Sequence, residues 1–190
     1  NTRNQASSIN AGNVGSLKLA YTHAADGFTE KKGAPAITQQ TVYFTEGRDL
    51  VAANRASGCE YWRYSGLKKS SLSGGNILRN SPFYIPPIVP HPPVVVVGDF
   101  YGTVYGVNAD TGKELWKGFL GTDASRHMIT GSPQLAGNGT LFVPVASKEV
   151  LLTVADLFTP CCYTPGLLQA LDPYTGKIKW TYHTAENVKL

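Results

Sequence analysis

Short apolar runs alternate with turn formers along the whole chain. Leu17-Lys18-Leu19-Ala20-Tyr21-Thr22-His23 alternates apolar and polar positions. That two-residue period predicts a half-buried strand. Thr41–Thr45 is rich in β-formers and turns through Gly47-Arg48-Asp49 into Leu50–Ala53. Val94–Val97 runs into the turn Gly98-Asp99-Phe100-Tyr101-Gly102 and then Thr103–Val107. Asn138-Gly139, between Ile129–Leu135 and Leu141–Val145, predicts a two-residue hairpin. No stretch holds a helical period with caps. The expectation is an all-β chain with about four short strands per structural unit.

The units are visible as a repeat. Val51–Trp62, Tyr105–Trp116 and Gln169–Trp180 each read as a short apolar strand, Asn or Asp, two residues, Ser/Thr-Gly, three residues, Trp. All three tryptophans of the chain occupy the same place in this unit. The Asn/Asp side chain starts a turn by bonding to the backbone two residues on, and the glycine supplies a positive φ near its end. A single such sheet cannot bury its faces alone, whereas stacked copies can. Repeats of this length with four strands each predict a β-propeller.

Composition narrows the picture. The 190 residues are 42% hydrophobic and 16% charged, enough apolar material for a core. The 17 basic and 13 acidic residues give a net charge of +4. They are dispersed, with only Lys31-Lys32 and Lys68-Lys69 paired, which predicts no nucleic-acid partner. The longest aliphatic run, Val94–Val97, follows two prolines and is too short to span a bilayer. Three cysteines are too few for a disulfide-stapled miniprotein, and no Cys-x-x-Cys-His haem motif occurs. His23, His91, His127 and His183 show no metal-ligand spacing. Asn138-Gly139-Thr140 is formally a glycosylation sequon, but the hairpin accounts for the same residues. The opening on Asn1 and the single methionine predict a section of a longer chain or a chain whose leader is removed.

The Asn/Asp-x-x-Ser/Thr-Gly-x-x-x-Trp turns resemble the tryptophan-docking motif of the pyrroloquinoline-quinone (PQQ) dehydrogenase superfamily. Further segments are similar to its polyvinyl-alcohol-dehydrogenase branch. They are Asn10–Leu19, Gly58-Cys59-Glu60-Tyr61-Trp62, Ile129-Thr130-Gly131-Ser132-Pro133, Val143–Ser147 with Glu149, and the adjacent Cys161-Cys162. The resemblance covers nearly the whole chain and is weakest over Ser71–Pro93. It implies an eight-bladed propeller, of which this chain holds about three to four blades in its N-terminal part. A leading segment and strand would occupy 1–33. Blades would follow over 34–66, 74–120 and 126–184, the last with a Cys-Cys insertion. Trp62, Trp116 and Trp180 would then pack between blades rather than act in chemistry.

The resemblance also implies chemistry. Vicinal cysteines can close a strained eight-membered ring, remain two thiols, or pair one sulfur with Cys59. In the family, the Cys161–Cys162 ring lies against the quinone, and any such disulfide requires an oxidising, extracytoplasmic compartment. Thr130 and Ser147 would donate hydrogen bonds to PQQ, and Arg126 would pair with one of its carboxylates. Glu149 would be a Ca²⁺ ligand, although Ca²⁺ ordinarily takes several oxygen ligands and only one local carboxylate is visible. The family often has Phe-Arg-Gly where this chain has Thr164-Pro165-Gly166, so a basic residue facing the cofactor is missing.

The implied activity is PQQ-dependent oxidation of an alcohol, polymeric or secondary, by a secreted, periplasmic or extracellular protein. A separate cytochrome c would accept the electrons, and the remainder of the propeller or a completing chain would be the partner. No catalytic base is identifiable in these residues. The alternative is a non-catalytic propeller of the same repeat, serving as a scaffold in an extracytoplasmic assembly. Its aromatic blades and the Pro-rich Ile85–Pro93 segment would then serve partner binding.

Overall fold

The computed structural model describes residues 8–23, 33–66, 80–121, 126–149 and 163–185. Three antiparallel meanders succeed one another. The first comprises β1 (Ala36–Ile37), β2 (Thr41–Glu46), β3 (Asp49–Asn54) and β4 (Glu60–Tyr64). The second comprises β5 (Phe83–Ile85), β6 (Val94–Gly98), β7 (Thr103–Asn108) and β8 (Glu114–Phe119). In the third, β10 (Gln134–Leu135), β11 (Leu141–Ser147), β12 (Leu167–Leu171) and β13 (Ile178–His183) follow in order, while β9 (His127–Met128) pairs with the far end of β11. The stacked four-stranded sheets are propeller blades, as the repeat predicts.

The three Asx–Gly turns are superimposable in their hydrogen bonds. Asn54 Oδ1 accepts from the amides of Ala56 and Ser57, both at 2.9 Å. Asn108 Oδ1 does so for Asp110 and Thr111, and Asp172 Oδ1 for Tyr174 and Thr175. Gly58, Gly112 and Gly176 close the turns at φ +75°, +71° and +69°, where a side chain would be strained. Each outer strand then rejoins its neighbour across a bulge, at Ala52/Ala53, Gly106/Val107 and Ala170/Leu171.

These turns join blade to blade. Trp62 Nε1 of the first blade donates to the Ala109 carbonyl in the second blade's turn, at 3.0 Å, and its indole lies against Gly112. Trp116 Nε1 of the second blade donates to the Pro173 carbonyl in the third blade's turn, at 3.2 Å, and its indole lies against Gly176. A Cβ on either glycine would meet the indole at under 3 Å, so these positions must be glycine for contact as well as for φ.

Around these contacts lie two cores. Tyr43, Leu50, Ala52 and Tyr64 pack on Val95, Val97, Tyr105 and Val107 between the first two blades. Val94, Val96, Val104 and Trp116 pack on Ile129, Leu141, Val143, Val145 and Leu171 between the second and third. The four consecutive valines of β6 are therefore buried on both faces, which explains why that strand does not alternate. Polar hooks supplement the second core. Buried Asn80 accepts from the Gly98 amide and donates to the carbonyls of Gly98 and Ile129.

Two local expectations change. Leu17–His23 joins no sheet among the described residues; Leu17 and Leu19 are exposed while Tyr21 and His23 lie on the first blade. Alternation here marks a segment lying on a blade, not a ladder. The Asn138-Gly139 hairpin is also longer than two residues. Ala136 N–H donates to Thr140 O and Gly139 N–H to Ala136 O, so Gly139, at φ +74°, occupies the left-handed bulge position of a three-residue loop.

The Pro-rich segment is engaged within the chain. Tyr174, in the third blade's turn, donates its hydroxyl to Pro86 O at 2.7 Å and stacks on His91 at 4.7 Å.

Candidate functional site

Three of the polar residues singled out from the sequence, Arg126, Ser147 and Glu149, converge at one end of the third blade. β11 ends at Ser147, and Glu149 follows with its side chain 1% exposed. Arg126 leads into β9, whose register sets His127 opposite Ser147. The Lys148 amide donates to Arg126 O at 2.8 Å, tying the two strand ends together. The guanidinium of Arg126 pairs with Glu149 Oε1. The amides of Tyr163 and Thr164 both donate to Oε2 at 2.8 Å, and the Thr164 hydroxyl donates to Oε1 at 3.0 Å. Ser147 Oγ stands 3.4 Å from Oε2 and accepts the Glu149 amide at 3.2 Å.

Burial pushes the Glu149 carboxyl upward. The Thr164 amide, Arg126, the Thr164 hydroxyl and the Tyr163 amide outweigh it and hold the group below the ordinary glutamate range. Its neighbour Lys148 is buried in the other direction, against the second blade. Its Nζ lies 4.7 Å from the Tyr101 ring centroid and 5.3 Å from that of Phe100, and donates to Phe100 O. Beneath it, Asp99 is fully buried and accepts from the amides of Tyr101 and Thr103 and from the Tyr105 hydroxyl. Burial dominates there and raises the Asp99 carboxyl, against those bonds and the Lys148 charge. His127, buried between the same blades, sets Nε2 3.3 Å from Pro165 O.

Of the residues expected to meet a quinone, the structure brings Arg126 and Ser147 together around Glu149. Thr130 is exposed, one residue beyond the buried Ile129, and shares no hydrogen bond with them among the described residues. Cys161 and Cys162 lie outside the described residues. Cys59 is an exposed free thiol. Sequence reasoning missed Thr164 as a partner of Glu149. The signal was the departure from Phe-Arg-Gly itself, which places a hydroxyl there.

The donor set was tested against the groups that the resemblance implies. Every contact to Glu149 comes from a positively polarised N–H or O–H. No group of three His, Cys, Asp or Glu side chains able to hold a metal exists among the described residues. This is the environment of a satisfied anion and does not fit a divalent cation. Arg126 and Ser147 both contact that anion.

The family described as outer membrane protein assembly factor BamB, PQQ_2, matches residues 7–189. The chain belongs to the PQQ_2 family. Its blades are similar to those of a polyvinylalcohol dehydrogenase from a Pseudomonas species, 28% identical over 94% of this chain and 26% of that protein. The dehydrogenase subunit of a quinone alcohol dehydrogenase from Komagataeibacter europaeus is 25% identical over 95% of this chain and 23% of that protein. Among solved structures, a europium-containing methanol dehydrogenase superposes with a TM-score of 0.72 at 20% identity, over 96% of this chain and 30% of that one. The chain thus spans about a quarter of the length of the curated relatives it matches. The superfamily and propeller class read from the tryptophan turns are borne out.

Proposed function

We propose that this chain is a three-blade section of an extracytoplasmic, quinone-dependent alcohol dehydrogenase. The observation that carries the reading is the third blade's uncovered face. Trp62 and Trp116 are docked on neighbouring turns, while Trp180, in the same position of the same unit, is 46% exposed. A chain that matches dehydrogenases over a quarter of their length, and presents an undocked blade face, suits an arc of a larger ring. Within it, these residues build wall and packing, and the reacting groups come from other blades. Bound PQQ would supply the acceptor for the alcohol's two electrons, a cytochrome c would remove them, and an oxidised Cys161–Cys162 pair would accord with an extracytoplasmic setting. The direct test is reconstitution of the full-length protein with PQQ and Ca²⁺. Dye reduction with secondary or polymeric alcohols supports the reading; absence of both cofactor binding and dye reduction overturns it.

A second reading, a non-catalytic scaffold propeller, is favoured by the engagement of Glu149 with Arg126 and the amides of Tyr163 and Thr164. Mass spectrometry separates the two. A Cys161–Cys162 bond supports the dehydrogenase, and two free thiols support the scaffold.

A further inference from the structure

The chain leaves residue 149 at the end of the third blade and is back against it at residues 163–164, the first two after the cysteine pair. The amides of both residues donate to one carboxylate oxygen, Glu149 Oε2. We propose that Glu149 is the anionic centre of a closed donor cage that positions the backbone of Tyr163 and Thr164, and that it offers no lone pair to a metal ion. This holds whether or not the whole protein binds a quinone.

Donor arithmetic comes first. An ionised carboxylate presents about four lone-pair positions. Five donors from four residues surround Glu149: the Arg126 guanidinium, the Tyr163 and Thr164 amides, the Thr164 hydroxyl and, at the longest distance, the Ser147 hydroxyl. A metal would have to displace some of these and sit beside the Arg126 guanidinium, a like charge. Among the described residues, the other buried carboxylate of this end, Asp99, already accepts from Tyr101, Thr103 and Tyr105.

The pattern of donors shows what the cage is for. Consecutive amides at 163 and 164 aimed at one oxygen form a small anion-holding concavity, here closed over the protein's own anion. Thr164 adds its hydroxyl to Oε1 at 3.0 Å, so one residue supplies two of the donors. Pro165 continues the effect, its carbonyl lying on the buried His127. Arg126, Glu149 and Thr164 thus clamp the lead-ins of β9 and β12 to the end of β11.

The test uses the full-length protein and does not depend on catalysis. Ca²⁺ is titrated by calorimetry and Tb³⁺ by sensitised luminescence, on wild type, Glu149→Gln and Thr164→Val. Thermal midpoints are read with Ca²⁺ and with EDTA, and amide exchange is followed at Tyr163 and Thr164. The cage predicts no saturable Ca²⁺ or Tb³⁺ response that Glu149→Gln removes, and a difference between the Ca²⁺ and EDTA midpoints that is the same in wild type and Glu149→Gln. It predicts a midpoint about 5 °C lower for Glu149→Gln and about 2 °C lower for Thr164→Val. Exchange at residues 163 and 164 should quicken at least about tenfold in Glu149→Gln, on the scale of one lost charge-assisted bond, while first-blade amides keep their rates.

The pH dependence carries a sign. Glu149 is held below its ordinary 4.5, so its contribution is whole above that value and is lost as pH falls through the folded one. The gap between wild type and Glu149→Gln should therefore narrow only on the acid side. Saturable metal binding abolished by Glu149→Gln, or a Ca²⁺-dependent rise in the wild-type midpoint that Glu149→Gln abolishes, would overturn the proposal without touching the quinone reading. Unchanged exchange at 163 and 164 in Glu149→Gln would overturn the positioning role.

Discussion

The second and third blades are built from the same unit but live in different surroundings. The second is covered on both faces. Its β6 is four valines in a row, two facing each neighbour, and its Trp116 is 8% exposed with Nε1 on the next blade's turn. The third is covered on one face only among the described residues. Along β11, buried Leu141, Val143 and Val145 alternate with half-buried Phe142 and exposed Pro144. Tyr182 is 61% exposed, and Trp180 meets Phe142 of its own sheet, ring centroids 5.6 Å apart. The comparison separates what a blade makes alone from what its neighbour supplies. The Asx turn, the bulge and the tryptophan's position form without a further blade. The burial of the tryptophan requires one.

The first blade adds a third situation. Its Asn54 turn is of the same kind that receives Trp62 and Trp116 further along, and it is filled by Tyr21. The Tyr21 hydroxyl donates to the Arg55 carbonyl at 3.2 Å, and its ring lies against Gly58. Arg55, Ala109 and Pro173 hold the same place in the three turns, each one residue after the Asx. A tyrosine from the leading segment thus stands in for a docking tryptophan. His23 continues the contact, edge-on to Phe44 at 4.8 Å and 3.0 Å from buried Glu46, which Arg63 also pairs.

Substitutions can break this comparison in graded steps. Trp116→Ala removes an indole buried between two blades and should cost about 3–5 kcal/mol in denaturant unfolding. A cost below about 1 kcal/mol would mean that the tryptophan is not what holds these blades together. Gly176→Ala puts a Cβ at positive φ and into the same indole, with contacts down to 2.4 Å. It should cost about 1–3 kcal/mol by the same assay, through the turn and the dock together. Gly139→Ala makes the control, since its φ is equally positive but nothing lies within 4 Å of the added carbon. It should cost about 1 kcal/mol from the backbone alone. Tyr21→Phe removes one hydrogen bond while keeping the ring, for about 0.5–1 kcal/mol. That loss should show as faster exchange in the leading segment before it shows in global unfolding.

The sequence carried the turns because their chemistry is local. Asn or Asp, the Gly four residues on and the Trp four beyond are all within one short stretch, and each has one physical task. The valine run was legible as a strand, but its unbroken burial follows from being sandwiched, a property of neighbours and not of the run. Tyr21 was hidden for a different reason. It lies outside any Gly-x-x-x-Trp unit, and the alternation around it imitates a sheet strand. At the third blade's end Arg126 and Ser147 were singled out for a quinone and Glu149 for a metal, and the structure sets these three side by side. Their purpose was not legible, because Tyr163 and Thr164 reach Glu149 across fourteen and fifteen positions of chain.

Blades are joined by tryptophan docking, and Trp180 is undocked among the described residues. Acrylamide quenching of tryptophan emission, compared between wild type and Trp180→Phe, tests it most directly, since the substitution removes an exposed indole and leaves Trp62 and Trp116 seated. The account predicts that the readily quenched component of the emission disappears in Trp180→Phe while the shielded component persists. An unchanged quenching profile would show Trp180 to be as protected as its two counterparts, and would contradict the open third face.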